Sequence, residues 1–420
     1  MASEDYRYII VGGGLAGAAA VEGIREIDGE GRILLVSSEK HLPYDRPPLS
    51  KKLWLGKKKV EDIFIHDQAF YAANWTDLAL GATVAGIDPA AKRATDDGGH
   101  ACSYDKLLLA TGGVPRTLQG LSPNGDCPLP GGYSPRRDSP RPALDGIRYY
   151  RYLDDYLAVR QAAAEGKSAV IIGGGFIGSE MAAALNLNQL DVTMVFPDAY
   201  LVSRVFPESL GRALQEQFIA RGVTMLSGDR PVSLERRGDK FVTRTHNGQT
   251  VESDIVIAGI GIVPATELAA AAGLALENGI VVNEHLQTSH PDIYAAGDNA
   301  FFPYQALGQR VRIEHWDNAI NQGKWAGRNM AGAGEPFTYM PYFFSDLFEF
   351  GYEAVGEVDA RLEVFADWRK ENDTGVIYYL KDGKVRGAMM CNVWDKVDAA
   401  RELIRKGAPM APDDLRGAIR

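Results

Sequence analysis

Two glycine-rich segments constrain the fold of this chain more strongly than any other feature of its sequence. Residues 12–17 read Gly-Gly-Gly-Leu-Ala-Gly and residues 173–178 read Gly-Gly-Gly-Phe-Ile-Gly, and each follows an apolar run and precedes a run of small residues. Glycines permit a tight turn and close approach of the backbone, and a helix N-terminus offers N–H groups to a pyrophosphate. The two segments therefore predict two bound dinucleotides. Their fingerprint glycines are Gly12, Gly14, Gly17, Gly173, Gly175 and Gly178.

The length and the order of the predicted elements indicate several domains. A chain of 420 residues exceeds what one hydrophobic core usually supports. The predicted fold class is α/β, with two Rossmann-like dinucleotide-binding domains, the second inserted into the first, and a C-terminal α+β domain. The predicted boundaries are 1–116 (first domain, first part), 117–147 (a proline- and arginine-rich insertion or linker), 148–262 (inserted domain), 263–332 (first domain, second part) and 333–420 (C-terminal domain).

Hydrophobic periodicity and turn residues predict individual elements. The predicted strands include residues 6–11, 32–37, 167–172, 191–196 and 253–258. The predicted helices include residues 16–27, 313–330 and 395–406. A Lys-Asp-Gly-Lys sequence at residues 381–384 predicts a turn between two strands.

Composition disfavours several classes of function. The chain has 45 basic and 55 acidic residues and a net charge of −10, which argues against a nucleic acid or an anionic membrane surface as partner. Three cysteines, at positions 102, 127 and 391, are too scattered for a disulfide framework, a zinc site or an iron–sulfur centre, so we expect no metal. Because there is no signal-peptide pattern and no apolar run of about 18 residues, we expect a cytoplasmic protein without a membrane span.

An acidic residue follows the second predicted strand of each dinucleotide unit. Glu39 lies 22 positions after the last glycine of the first fingerprint, near the spacing of about 20 at which a carboxylate binds a ribose hydroxyl. The alternative is a loop carboxylate in water. Asp198 lies 20 positions after the last glycine of the second fingerprint and favours NADH for the same reason. Alternatively, the position that usually carries this acid could be that of Phe196, and Arg204 could bind the 2′-phosphate of NADPH.

Four further motifs resemble those of a known family. They are residues 43–51 (Pro-Tyr-Asp-Arg-Pro-Pro-Leu-Ser-Lys), 110–113 (Ala-Thr-Gly-Gly), 296–298 (Ala-Gly-Asp) and 314–317 (Glu-His-Trp-Asp). With the two fingerprints they resemble the FAD-dependent pyridine nucleotide oxidoreductases, in the branch of the ferredoxin, rubredoxin and putidaredoxin reductases and apoptosis-inducing factor. Residues 344–356 resemble apoptosis-inducing factor more closely, although a phenylalanine stands at position 344 where that family often has tryptophan.

The resemblance implies two cofactors. FAD is expected on the first dinucleotide domain and NAD(P)H, with NADH favoured, on the inserted domain. The expected FAD-binding residues are Gly12, Gly14, Gly17, Glu39, Arg46, Lys51, Ala110, Thr111, Gly112, Arg116, Gly297, Asp298 and His315. The expected NAD(P)H-binding residues are Gly173, Gly175, Gly178, Asp198 and Glu314, and Glu180 and Gly261 are further expected cofactor-binding residues.

The resemblance also implies a set of catalytic residues. Lys51 is expected to reach the flavin near N5 and to pair with Glu180, because a buried lysine needs an anionic partner. A positive charge there stabilises the negative charge that flavin gains on reduction, and a structural role for the pair is compatible with this. The other candidates are Glu314 for the nicotinamide carboxamide, His315 for a bond to the flavin, Trp316 for covering the ring or for contact with an acceptor, and Phe344 for stacking on nicotinamide.

Two functions from different classes are compatible with these residues. The first is an FAD-dependent NAD(P)H oxidoreductase that passes electrons directly from the flavin to a ferredoxin-type protein or a quinone, since no redox-active cysteine pair follows the first strand–helix–strand unit. The second is an NADH-sensing flavoprotein like apoptosis-inducing factor, which forms a stable charge-transfer complex and regulates dimerisation or partner binding; a homodimer fits this reading. Six basic residues within 46–59 favour an acidic ferredoxin as partner, although lysines 57–59 would also suit a solvated loop.

Overall fold

The computed structural model describes residues 5–118 and 146–419. Contacts within the chain divide these residues into two compact units. The first unit contains residues 5–45, 60–114 and 263–343, and the second contains residues 46–59, 115–118, 146–262 and 344–419. Within these ranges, no helix is both long and apolar enough to span a membrane.

The helices of the described ranges include two that directly follow the glycine fingerprints. They are α1 (Leu15–Arg25), α2 (Gln68–Ala73), α3 (Leu153–Ala162), α4 (Phe176–Leu187), α5 (Glu208–Ala220), α6 (Glu267–Ala271), α7 (Trp316–Met330), α8 (Val397–Lys406) and α9 (Pro412–Leu415). Short 3-10 helices lie at Pro47–Ser50, Val60–Ile63 and Gln305–Leu307. Small residues let α1 pack closely on α7, since a Cβ atom on Gly323 would lie 2.2 Å from the Ala16 carbonyl oxygen.

The strands of residues 5–118 and 146–419 are mostly short and belong to six sheets. They are β1 (Asp5–Val11), β2 (Ile33–Ser37), β3 (Thr76–Leu80), β4 (Val84–Asp88), β5 (Arg93–Asp96), β6 (Ala101–Leu109), β7 (Gly113–Pro115), β8 (Ile147–Arg148), β9 (Ser168–Ile172), β10 (Asp191–Phe196), β11 (Thr224–Ser227), β12 (Pro231–Arg237), β13 (Lys240–Thr245), β14 (Thr250–Ser253), β15 (Ile255–Ala258), β16 (Ile262–Pro264), β17 (Leu276–Glu277), β18 (Gly279–Val281), β19 (Ile293–Ala295), β20 (Ala300–Tyr304), β21 (Gln309–Val311), β22 (Tyr342–Leu347), β23 (Phe350–Gly356), β24 (Glu363–Lys370), β25 (Thr374–Lys381) and β26 (Lys384–Cys391).

The first unit is built on a parallel sheet in the order β3-β2-β1-β6, with β19 also parallel to β6. The apolar side chains of β1 are buried on both faces of this sheet, as in a doubly wound fold, and Ile9 and Ile10 are fully inaccessible to solvent. The glycine turn at residues 12–14 follows β1 directly. It therefore lies at the carboxyl ends of the strands, where α/β sheets bind their ligands.

The second unit repeats this arrangement with a parallel sheet in the order β11-β10-β9-β15-β8. It also contains an antiparallel sheet in the order β22-β23-β26-β25-β24, on which α8 packs. The predicted turn at residues 381–384 is confirmed: it joins β25 to β26, and both Asp382 and Gly383 have positive φ angles. Such two-residue hairpin loops match the natural twist of the strands.

Several element boundaries differ from the sequence-based predictions. The helix predicted over residues 313–330 begins three residues later at Trp316, because His315 is extended and the Asn318 side chain donates to the Ile313 carbonyl. The predicted helix at residues 395–406 begins at Val397, after Asp395 adopts a positive φ angle. Contacts group residues 46–59 with the second unit, whereas the sequence assigned them to the first domain. The division into domains stays a prediction, and most of the insertion, residues 119–145, lies outside the described residues.

Candidate active site

The packing of the chain itself requires glycine at two of the three fingerprint positions of the first turn. Gly12 has a φ angle of +125°, and a Cβ atom there would lie 2.1 Å from the Ala110 carbonyl oxygen. A Cβ atom on Gly17 would lie 2.0 Å from the Gly12 carbonyl oxygen. Both positions therefore exclude any side chain in the fold described here.

The second glycine turn has the same construction. Gly173 has a φ angle of +117°, and its Cβ atom would lie 2.4 Å from the Gly259 carbonyl oxygen. A Cβ atom on Gly178 would lie 2.0 Å from the Gly173 carbonyl oxygen. In both turns, backbone carbonyl oxygens leave no room for a side chain on the first and last glycine.

The middle glycine of each fingerprint is not required by the packing of the chain. No atom of the described structure lies within 4 Å of a Cβ atom built on Gly14 or Gly175, and both glycines have ordinary extended backbones. Each is the N-cap of its helix, and neither helix has a side-chain cap. The open space in front of uncapped N–H groups fits a pyrophosphate.

Buried amide side chains surround the first turn and leave polar atoms for a ligand. The Gly297 N–H, at a φ angle of +89°, donates to Gln322 Oε1 at 2.9 Å, and Asn299 Nδ2 donates to Thr111 Oγ1 at 2.9 Å. Thr111 Oγ1 in turn donates to the Ala265 carbonyl at 2.7 Å. Within the described residues, Gln322 Nε2 and Asn299 Oδ1 are buried without a hydrogen-bond partner. Both atoms can bond a polar cofactor such as FAD.

The segment before α7 carries an ion pair and a neutral histidine. Arg312 Nη1 donates to the Asp298 carbonyl at 3.0 Å and to Glu314 Oε1 at 2.5 Å. The His315 ring lies 4.3 Å from the Phe343 ring. Burial lowers the pKa of His315 to about 4, against the opposing charge of Asp298, so its imidazole is neutral at pH 7. Its Nδ1 atom is buried and has no partner in the part of the chain that the structure describes.

Trp316 is held by a side chain that the sequence did not single out as functional. Its indole Nε1 donates to Asp45 Oδ1 at 2.6 Å within the first unit. This bond fixes the orientation of the ring at the start of α7, beside His315. Asp45 lies in the quoted 43–51 motif, but a lone aspartate in a loop carries no signal for such a partner.

The predicted contact between Lys51 and Glu180 is present in the second unit. Lys51 Nζ lies 2.6 Å from Glu180 Oε1, and the two side chains are only 11% and 5% exposed. Ser345 Oγ donates to Oε1 and Ser50 Oγ donates to Oε2, both at 2.5 Å. The Phe344 ring centre lies 5.7 Å from Lys51 Nζ, within range of a cation–π interaction.

The turn that carries Lys51 is held rigidly by aromatic side chains. Pro47 and Pro48 begin its 3-10 helix, and their fixed φ angles suit that position. Tyr150 Oη donates to the Leu49 carbonyl at 2.6 Å and accepts from Trp54 Nε1 at 2.8 Å. Lys51 is therefore placed by a preformed backbone, so that only the torsions of its side chain remain to be ordered.

The two arginines expected to bind FAD make backbone contacts in the second unit. Arg46 Nη1 donates to the Arg151 carbonyl at 2.8 Å, and its guanidinium lies 5.4 Å from the Tyr152 ring. The Arg116 N–H donates to the Gly261 carbonyl at 2.9 Å. In the first unit, Gly112 accepts from Ala265 N–H. The cofactor roles of these residues stay predictions.

The two candidate ribose ligands differ in their surroundings. Glu39 Oε2 accepts from Tyr44 Oη at 2.6 Å, so its carboxylate is already oriented. Asp198 is exposed just after β10. Phe196 is fully buried, and its ring would lie 2.7 Å from a Cβ atom on Gly174, so it fills the space behind the turn.

Arg204, the candidate ligand of a 2′-phosphate, lies near other charged groups. A hydrogen bond from Arg361 and the charge of Arg204 both lower the pKa of Asp359. The Ala360 N–H donates to the Arg204 carbonyl at 2.9 Å. Arg204 itself is exposed, and its charge affects Asp359 less than the hydrogen bond from Arg361 does.

Sequence reasoning missed the two serines that bond Glu180 and the amides that surround Gly297. Ser50 and Ser345 lie in quoted motifs, yet a serine has no sequence pattern that distinguishes a buried donor from a surface hydroxyl. Gln322 and Asn299 are likewise polar residues whose burial only the structure shows.

Comparison with known proteins places the chain among flavoproteins. Residues 6–323 match the family model described as "Pyridine nucleotide-disulphide oxidoreductase", and residues 326–374 match that of "Apoptosis-inducing factor, mitochondrion-associated, C-term". A ferredoxin–NAD(+) reductase component of the anthranilate 1,2-dioxygenase system from Burkholderia cepacia is 33% identical over 97% of this chain and 96% of its own. Apoptosis-inducing factor 1 from Dictyostelium discoideum is 32% identical over 96% of this chain and 79% of its own.

A solved structure matches the fold over nearly the whole chain. It is a putidaredoxin reductase in a covalent complex with putidaredoxin, with a TM-score of 0.87, 31% identity, and coverage of 98% of this chain and 95% of that one. The fold and the two glycine turns define an FAD- and NAD(P)H-dependent oxidoreductase. The chain belongs to the pyridine nucleotide-disulphide oxidoreductase family. The predicted fold class and both predicted cofactors are confirmed.

Substitutions at the glycines should separate folding from cofactor binding. We expect Gly17→Ala to destabilise the protein by about 2–3 kcal/mol, because the methyl group overlaps a backbone oxygen. We expect Gly14→Ala to leave the apoprotein as stable as the wild type and to weaken FAD binding about tenfold or more, because the methyl group stands where a pyrophosphate approaches. Thermal unfolding of apoprotein and fluorescence titration with FAD measure the two effects. A Gly14→Ala protein with wild-type FAD affinity would contradict the assignment.

Proposed function

We propose that the protein passes electrons from NADH through FAD to a small iron–sulfur protein of the ferredoxin type. The observation that carries the redox role is the buried Lys51–Glu180 pair beside Phe344. The acceptor class is supported by relatives named as a ferredoxin–NAD(+) reductase and a putidaredoxin reductase, both similar over almost their whole length. The scarcity of cysteines supports a reducing compartment such as the cytoplasm.

The proposed roles of the residues follow from their charges and positions. A bound FAD would supply the redox chemistry of the site, as acceptor of a hydride and donor of electrons. The Lys51 ammonium would stabilise the negative charge gained by the flavin, and Glu180 is its partner in a buried ion pair. Phe344 offers a flat apolar face to the nicotinamide. His315, neutral at pH 7, provides a hydrogen-bonding atom to the flavin without adding a charge.

The remaining cofactor contacts are assigned to the residues named from the sequence. The turn at Gly14, the oriented carboxylate of Glu39 and the segment around Asp298 would hold the FAD phosphates and hydroxyls. Gly175 would admit the phosphates of NADH in the same way, since the space before it is open. Arg46 and Arg116 are proposed to approach the FAD pyrophosphate, a group that suits the geometry of arginine.

The protein itself would transfer electrons without cysteine chemistry. The three cysteines, at positions 102, 127 and 391, form no closely spaced pair in the sequence. Cys391 is buried, and burial raises the pKa of its thiol, which disfavours the reactive thiolate. The flavin is therefore the proposed site from which electrons leave.

NADH is the proposed electron donor. Asp198 lies at the end of β10, where a carboxylate accepts hydrogen bonds from a ribose 2′-hydroxyl. A carboxylate also repels the 2′-phosphate of NADPH.

A cluster of lysines between residues 52 and 59 is the proposed docking site for an acidic acceptor protein. Lys51 and Arg46 already bond within the second unit, whereas Lys52 and Lys57 are exposed. Leu55 between them is 43% exposed. An apolar side chain among positive charges fits a small acidic iron–sulfur protein, since complementary charge accelerates encounter.

A second candidate function is redox sensing of the kind suggested by apoptosis-inducing factor. The specific observation in its favour is the match of residues 326–374 to the C-terminal model of that family. In this alternative, bound NADH changes dimerisation or the binding of a partner, and electrons leave slowly. The flavin-site residues serve both functions equally.

One stopped-flow experiment tests the proposed function. The FAD-loaded protein is reduced with NADH without oxygen and is then mixed with a [2Fe–2S] ferredoxin, a quinone or oxygen. We expect the ferredoxin to reoxidise the flavin within seconds and faster than the other acceptors. A long-wavelength absorbance that persists for minutes in the presence of all three acceptors would favour the sensor instead. Protein purified without flavin, and unable to bind FAD, would contradict both functions.

Replacing Asp198 should reduce the preference for NADH. We expect Asp198→Ala to raise the KM for NADH about tenfold, because a charge-assisted hydrogen bond to the ribose is lost, and to lower the KM for NADPH. Steady-state kinetics with ferricyanide as acceptor measure both values. Asp191→Ala is a matched control, since Asp191 is an exposed aspartate at the other end of β10. An unchanged ratio of the two KM values would refute this role.

Reversing charges in the lysine cluster should weaken the reaction with ferredoxin and leave the reaction with NADH unchanged. We expect Lys52→Glu/Lys57→Glu to raise the KM for an acidic ferredoxin about tenfold at low salt, with a smaller effect at high salt. The KM for NADH should not change. Lys381→Glu/Lys384→Glu is the control, because it makes the same charge change at exposed positions of a hairpin. If both double variants raise the KM for ferredoxin equally, the effect comes from net charge, and the proposal of a docking site in the lysine cluster is wrong.

A further inference from the structure

The Glu180 carboxylate is bonded by two buried hydroxyl groups in addition to Lys51. Ser345 Oγ donates to the same oxygen as Lys51, and Ser50 Oγ donates to the other oxygen. The serines are 2% and 4% exposed. Neither serine is needed to balance charge, because the lysine already does so.

The two hydroxyl groups determine the orientation of the Glu180 carboxylate. A carboxylate can accept bonds at both oxygens, and a buried oxygen without a donor costs free energy. Ser50 supplies the donor for Oε2, which leaves Oε1 facing Lys51. Ser345 supplies a second donor to Oε1 and thereby opposes rotation of the carboxylate away from the lysine.

The serines come from elements that also carry other residues of the proposed site. Ser50 ends the 3-10 helix and directly precedes Lys51. Ser345 lies on β22 and directly follows Phe344, whose ring faces Lys51.

We propose that Ser50 and Ser345 are positioning residues of the electron-transfer site, which hold the Glu180 carboxylate in one orientation and so hold the Lys51 ammonium in one place. This inference rests on the proposed function, in which Lys51 stabilises the charge that flavin gains. The hydroxyl groups also offset part of the negative charge of Glu180. Their removal leaves a more negative surrounding for the flavin and makes it harder to reduce.

The test uses the full chain loaded with FAD and the variants Ser50→Ala and Ser345→Ala. We expect the FAD midpoint potential, measured by dye-coupled titration, to become more negative in both. We expect flavin reduction at saturating NADH to slow about three- to tenfold, since part of a charge-assisted hydrogen bond is lost. The apparent dissociation constant of NADH should stay within about twofold of wild type, because binding contacts are retained.

Two comparisons isolate the hydroxyl group from effects of packing. Ser345→Thr keeps the hydroxyl and Ser345→Val replaces it with a methyl group of similar size, so only the valine variant should show the slow reduction and the lower potential. This pair remains informative if the alanine variant does not fold. Ser253→Ala is the matched control, because Ser253 is 1% exposed and its hydroxyl has no partner among the described residues. It should leave both readouts unchanged.

The outcomes distinguish this inference from the function on which it rests. If Glu180→Gln changes the potential and the reduction rate while Ser345→Val and both alanine variants do not, the positioning role is wrong and the function stands. If Glu180→Gln and Lys51→Met also leave both readouts unchanged, the proposed role of the ion pair is wrong as well. Threonine and valine variants that are equally impaired would assign the effect to packing and overturn the inference.

Discussion

A single buried ion pair, Lys51 with Glu180, imposes the strictest requirement on the second unit. Each charge is almost hidden from water, and removing one partner of such a pair costs about 3–5 kcal/mol. Its donors come from residues 50–51 and from Ser345, and the two serines are separated from Glu180 by 130 and 165 residues in sequence. The helix α4, the Pro47–Ser50 turn and the strand β22 must therefore converge for one carboxylate to be satisfied.

In each glycine turn, the first and last glycines are required by the fold, whereas the middle glycine is not. At Gly12 and Gly173 the backbone needs a positive φ angle, and at Gly17 and Gly178 a neighbouring carbonyl leaves no room for a side chain. These four positions are explained by the chain alone. Gly14 and Gly175 are not explained in this way, because a Cβ atom on either would meet no atom of the described structure within 4 Å. Since the described fold gives no steric reason for glycine at these positions, we infer that a ligand approaches each of them.

Sequence patterns predicted the elements that depend on local periodicity. The strand Asp191–Phe196 and the hairpin turn at residues 381–384 agree with the structure because alternation and turn residues are local properties. The start of α7 was predicted too early, since the Asn318 side chain satisfies the Ile313 carbonyl in place of a helical bond. The bond from Trp316 to Asp45 and those from Ser50 and Ser345 to Glu180 link residues far apart in sequence. No local pattern encodes such partners.

The phenylalanine at position 344 bears on the choice between a reductase and a sensor. Its ring already meets the Lys51 ammonium at 5.7 Å, and the backbone beside it is fixed by the bond from Ser345 to Glu180. A phenyl ring offers less stacking surface than the indole often found at this place in apoptosis-inducing factor. In the proposed site, less stacking surface would hold an oxidised nicotinamide less tightly after it has given up its hydride. Faster release would suit repeated turnover better than a lasting complex, so Phe344 favours the proposed reductase although the C-terminal segment resembles the sensor.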